Sequence, residues 1–367
     1  MILSRGIWWV LGLVVVLAAA GVTLSPFAGG GVDKLLRDLT NLPARAVTSV
    51  VPPQRGQLRD LRKRERDALR DLSQRLDAQI VWSSNRSGNH ELYLLDLRSL
   101  EARKLTDHPH VDFSSRFSPD GRRIVFARSQ REWVSFREKD AWDIYVLDVE
   151  GGDDQLVAHG GYHPSWTVDG RSVVFQRGSS IVNKHLDTGE ETVLFKPSPG
   201  FPPGASGDPA LDAAAGRLAL SVRGYGAALI NLRSQGWERL TEDQVCQTVW
   251  VPGTGELLWV EPRGNGGTRI MTRSARGKVD VLIDLPGERS HEYFPNMSAN
   301  GRWLVWGATA KGHEHDRADY EIYAWERGTL WETATRLTYY TGNDQWPDIH
   351  LVGSSSNKNN YREPTPQ

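Results

Sequence analysis

The chain has 367 residues with 44 basic and 45 acidic side chains, and its net charge of -1 gives no electrostatic case for a nucleic acid partner. A single cysteine, Cys246, excludes an intramolecular disulfide. The 36 glycines and 14 tryptophans suit a β protein with many tight turns and large side chains packed between sheets.

In chain order, residues 7–24 carry no charged side chain, and a helix of that length covers about 27 Å, close to the hydrocarbon thickness of a bilayer. Trp8 and Trp9 lie near one end, where aromatic rings favour the membrane interface, and Ser25-Pro26 ends the run. Residues 1–25 are therefore expected to form a transmembrane anchor that meets the lipid bilayer through 7–24. An uncleaved signal segment is the other reading, because Ala18-Ala19-Ala20 could supply a cleavage site. Residues 26–56, with Gly29-Gly30-Gly31 and Pro52-Pro53, read as a linker. In residues 57–78, Leu58, Leu61, Leu69, Leu72 and Leu76 recur at helical spacing among many arginines. This pattern predicts one basic amphipathic helix from Gln57 to about Leu76. It would pack on the following domain, or face lipid headgroups or an acidic partner.

From Ile80 the period changes to that of strands, and one phrase returns six times in degenerate form. Its best copy is Phe113 to Gly121 (FSSRFSPDG), Arg122 to Ala127 (RRIVFA) and Asp143 to Asp148 (DIYVLD). The turn recurs at Val168-Asp169-Gly170, Ala215-Gly216, Thr254-Gly255 and Asn300-Gly301, about 39 to 49 residues apart, which is the span of one four-stranded blade. Three copies end near a "Leu-Thr", at Leu105-Thr106, Leu240-Thr241 and Leu337-Thr338. Asp120 and Asp169 read as turn residues rather than catalytic ones. The copies around Asp208 to Gly216 and Thr248 to Gly255 are degenerate.

This phrase resembles the TolB-type propeller repeat, a relative of the WD repeat. The resemblance implies an all-β fold for residues 79–352: a six-bladed β-propeller of four-stranded blades, preceded by the transmembrane helix and the short amphipathic helix. The chain enters its first copy at the second strand, Ile80-Val81-Trp82, and ends on an isolated first strand, Gln345 to Ile349. The last strand is therefore expected to complete the first blade. A polar tail, 353–367, follows.

Alternate loops of a blade share a face, and here one face has all the elaborate loops, where binding usually lives. Aligning the copies places Asp112, His163, Gln247, Glu292 and Asp344 near the mouth of the central channel, as a candidate ligand site. Imidazole and carboxylate together could hold a divalent metal there, as in some propeller lyases acting on acidic sugars, a likeness of fold alone. Trp133, Phe136, Trp142, His313 and His315, on the two longest loops, are the candidate partner-binding residues. No G-x-S-x-G elbow, phosphate-cradling glycine loop or paired cysteine is present, and no cofactor is expected.

Two functions follow. The first is a non-enzymatic, membrane-anchored interaction subunit that docks onto and stabilises a larger membrane protein complex, such as a respiratory, photosynthetic or envelope assembly. The second is a periplasmic polysaccharide-binding protein, or a metal-assisted lyase or hydrolase working at the channel mouth. The family resemblance implies a bacterial inner-membrane protein with its propeller in the periplasm.

Overall fold

A computed structural model describes residues 55–202, 206–212, 214, 216–265, 267–310 and 314–353. The apolar run 7–24, nearly all of the expected linker, His313 and the tail beyond Gly353 lie outside the described residues. Among the described residues, no helix is long and apolar enough to cross a membrane.

The strands form six four-stranded antiparallel sheets, the blades of a propeller. From blade 1 to blade 6 the innermost strands are Asp344–Leu351, Asp112–Phe117, Tyr162–Trp166, Ser206–Asp212, Cys246–Val251 and His291–Met297. Polarity falls and then rises across each blade. The second strands lie between neighbouring blades and read as near-continuous apolar runs: Trp303–Thr309 is buried throughout, and Arg123–Ser129 nearly so. Outermost strands meet water, and Glu101–Lys104 is exposed along its whole length.

The repeated motifs have local physical causes. In the turn after an innermost strand, Asp120 Oδ1 accepts from Ser118 Oγ and from Arg122 N, while Gly121 takes φ +71°, a conformation that favours glycine. Asp169 and Asn300 repeat these bonds. The threonine of "Leu-Thr" ties the third strand to the outermost one. Thr338 Oγ1 accepts from Ile322 N and donates to Glu321 Oε2 at 2.8 Å, and Thr106 does the same with Leu92 N and Glu91.

The ring closes as expected. Asp344–Leu351, the last strand among the described residues, pairs with Ala78–Ser84, the second strand of blade 1, with Ile349 opposite Ile80. Over this closure lies helix α1, Lys63–Arg75. Leu69, Leu72 and Leu76 bury into a cluster with Trp303, Val305 and Leu337 of blade 6 and Trp82, Leu95 and Leu351 of blade 1. Each buried leucine contributes about 1.5–3 kcal/mol.

The helix is shorter than the leucine spacing predicts. Gln57 to Leu61 are extended because their backbone already has partners: Arg59 N donates to Tyr339 O, Thr341 N to Gln57 O, and Leu58 bridges Tyr340. Arg59 then grips Glu65 with both guanidinium nitrogens and lies 5.0 Å from the Tyr339 ring centroid. Gly56 has no room for a side chain, since a Cβ there would fall 2.1 Å from the Gly342 nitrogen.

Candidate functional site: a filled channel mouth

Each innermost strand carries a bulge at the same place, and one residue in each takes a positive φ: Trp346 in blade 1, then Ser114, His163, Asp208, Gln247 and Phe294. None is glycine, so each sits in a conformation that side chains rarely adopt. The six positions share one level of the ring, and their side chains meet. His163 Nε2 lies 3.1 Å from Asp208 Oδ1, Gln247 N donates to Asp208 Oδ2 at 3.0 Å, and Phe294 N donates to Gln247 Oε1 at 2.5 Å. Ser114 Oγ lies 3.5 Å from His163 Nδ1. Phe294 and Trp346 pack with ring centroids 4.3 Å apart, and Trp346 reaches past blade 2 to within 5.0 Å of His163. The axis is filled at this level, polar on one side and aromatic on the other.

Two long loops close over this layer. Residues 130–141 of blade 2 and the blade 6 loop that begins after Thr309 flank blade 1, and Asp316 clasps them together. Its carboxylate accepts from Ser135 Oγ at 2.7 Å, Phe136 N at 3.0 Å and Arg137 at 3.1 Å. Phe136 rests on His163, Trp346 and His315, with centroids 5.1 to 5.7 Å apart. His315 is wedged against Tyr293 and Phe294, within hydrogen-bond distance of the Tyr320 hydroxyl.

The five residues expected at the channel mouth do not converge on a common ligand. His163 and Gln247 belong to the axial layer. Burial pushes the His163 imidazole down to about 4, against the pull of Asp208, so at neutral pH it is uncharged and donates through Nε2. Asp112 lies deep in blade 2, held by Arg128 Nε at 2.8 Å and by a second guanidinium nitrogen at 2.9 Å. Asp344 is held by Arg86 at 2.8 Å. Glu292 accepts from Leu285 N at 2.8 Å, and burial raises its carboxyl to about 8. Among the described residues, no group of three or more His, Cys, Asp or Glu side chains could hold a metal ion.

The expected contact aromatics are also redistributed. Trp142 is fully buried, donating to Glu138 O and packing on Phe113 and Tyr162, because the loop it closes folds back over the blade. His315 is buried by the clasp. Trp133 and Phe136 are half-buried and remain at the face. The repeat alignment passed over Ser114, Asp208, Phe294 and Trp346. A proline follows the bulge residue in four blades (Pro164, Pro209, Pro295 and Pro347), which is the one sequence signal that marks the layer.

Residues 77–208 match the family model of the TolB beta propeller domain. The Tol-Pal system protein TolB of Syntrophotalea carbinolica is 40% identical over 48 residues, 13% of this chain and 11% of its own length. Among solved structures, TolB from Acinetobacter baumannii aligns with a TM-score of 0.55 at 16% identity, over 74% of this chain and 66% of its own. The putative TolB from Agrobacterium tumefaciens aligns at 0.54 and 15% identity, over 74% of this chain and 91% of its own. At such identities the structures show likeness of fold.

Proposed function

The chain carries a six-bladed propeller of the TolB-like kind, and we propose that it acts as a non-enzymatic, membrane-tethered interaction subunit, docking onto a larger membrane complex through its long-loop face. The filled channel carries this reading. Trp346, Phe294, Phe136 and His315 occupy the place where a substrate would enter, which leaves the outer surface of the clasped loops as the functional face. A second observation points the same way. Gly56 N donates to the Tyr340 hydroxyl at 2.7 Å and Gln57 N to Thr341 Oγ1 at 2.8 Å, in the connection from blade 6 to blade 1. Residues 56 and 57, close to the first described residue, therefore lie on the long-loop side of the propeller. The Tol-Pal name of the curated relative favours the periplasmic side of a bacterial inner membrane.

The test is purification of the tagged full chain in mild detergent, with mass spectrometry of what accompanies it. Stoichiometric membrane subunits are expected, and a solitary monomer would sink the reading. Replacing Trp133 and Asp316 with alanine is expected to release the partner, whereas Val168→Ala, in an exposed turn of the opposite face, is expected to retain it.

A further inference from the structure

Beside the strap formed by residues 55–59 lies a cavity of about 580 Å³, well within the roughly 300–1,000 Å³ of small-molecule sites. Arg55, Arg86 and Lys104 line it together with Gln57, Tyr93 and Tyr340, and no carboxylate is among its lining residues, although Asp344 and Asp107 pair with Arg86 and Lys104. Arg55, together with Lys104, whose partner Asp107 is highly exposed, offers this hollow positive charge for an anion.

The cations are held in different ways. Arg86 is fixed in place, 5.1, 4.9 and 5.4 Å from the ring centroids of Trp82, Tyr93 and Tyr340, with Asp344 behind it. Lys104 pairs with Asp107, a highly exposed carboxylate at 2.7 Å, and such a pair exchanges readily. Arg55 is exposed at the rim.

Leu58, at the same rim, is 72% exposed, an apolar side chain among arginines. The adjoining helix α1 turns Lys63, Arg64, Arg66 and Arg70 to solvent. Basic residues with a protruding leucine, in a chain with an expected membrane anchor, match the chemistry of a lipid surface.

We propose that this cavity binds the phosphate headgroup of an anionic membrane lipid, with Arg55 and Lys104 on the phosphate and Leu58 against the lipid's apolar part. The site holds the propeller at a fixed attitude beside the bilayer. The proposal rests on the membrane-tethered reading for its biological source of ligand, but the binding step does not require the tether.

The full chain in a neutral detergent is titrated with short-chain phosphatidylglycerol, short-chain phosphatidylcholine and glycerol phosphate, and binding is read by calorimetry. Saturable binding of phosphatidylglycerol alone is expected, weakening with salt. Arg55→Glu with Lys104→Glu should weaken it by about tenfold or more. The matched reversal Arg276→Glu with Lys278→Glu, on blade 5, should leave it unchanged. Unaltered melting of both variants shows that they fold. Equal binding of glycerol phosphate overturns the lipid assignment in favour of a soluble phosphate ester. Equal binding of phosphatidylcholine, or no loss in the first variant, overturns the site. Alkaline extraction of native membranes tests the tether separately, so failure of either claim is read without the other.

Discussion

The seam between blades 6 and 1 and the region of blade 4 solve the same packing problem with different means. At the seam the last strand pairs with the first, helix α1 covers the joint, the strap pairs with Tyr339 to Thr341, and Trp82, Trp303, Tyr93 and Tyr339 fill the space. Blade 4 has an outermost strand of three residues, Trp237–Arg239, and a small-residue interior that includes Ala210, Ala219, Ala227 and Ala228. Its neighbours in the ring are also its neighbours in the chain, so its ladders close over short loops. The seam joins opposite ends of the sequence and receives extra cover where chain connectivity gives no help.

The largest expected effect is at Trp346, which belongs to the closing strand and fills the axis. Trp346→Ala should cost about 3–5 kcal/mol in urea unfolding. A loss below about 1 kcal/mol would mean that the axial layer is not part of the closure. Next, Leu72→Ala on α1 should cost about 2–4 kcal/mol and raise hydrogen exchange in Ala78–Ser84. The matched Leu220→Ala, whose cluster joins blades 3 and 4, should raise exchange in those two blades and not in Ala78–Ser84. If both variants loosen the same strands, the two regions are not distinct.

The third effect concerns pH. Burial lifts the Glu292 carboxyl from 4.5 to about 8 in the folded protein, so the folded state binds more protons than the unfolded one across that window. Stability from this group is present at low pH and is lost as pH rises toward about 8. Glu292→Gln removes the titration. It should gain about 1–3 kcal/mol over the parent above about pH 8 and almost nothing at about pH 4. An unchanged difference across the range would show that the Glu292 carboxyl is not raised on folding. The smallest contrast is between threonines. Thr338→Val strips partners from both Ile322 N and the buried Glu321, at about 1–3 kcal/mol. Thr241→Val in blade 4 frees Ala227 N alone among buried groups and should cost about 1 kcal/mol.

The ring was legible in the sequence because its punctuation is chemical. Asp120-Gly121, Thr106 and Thr338 each make a bond that only a few residue types can make. The closure by Gln345 to Ile349 was legible because a strand without a blade has one place to go. The helix start was not, because Leu58 and Leu61 keep the helical period while the backbone of Gln57 and Arg59 is taken by Tyr339 and Thr341. The axial layer stayed hidden for a different reason. Ser114, His163, Asp208, Gln247, Phe294 and Trp346 share a backbone conformation and no side-chain chemistry, so an alignment of residue types finds His163 and Gln247 and passes over the other four. Asp112, Glu292 and Asp344 were misplaced because an acidic residue near a strand end reads as a ligand until its partner is known. For two of them that partner is an arginine of their own blade.

The pairing of Ile80 with Ile349 also bears on how the protein is made. A ribosome delivers the second strand of blade 1 ahead of blades 2 to 6 and its innermost strand after them. The first blade must wait, incomplete, until those blades have been made, its apolar strand edge without a mate. Truncation between the end of blade 6 and Asp344 would leave five finished blades and an open ring. Final assembly is therefore a single late event with a large loop to close, a point at which the unfinished chain depends on protection from aggregation.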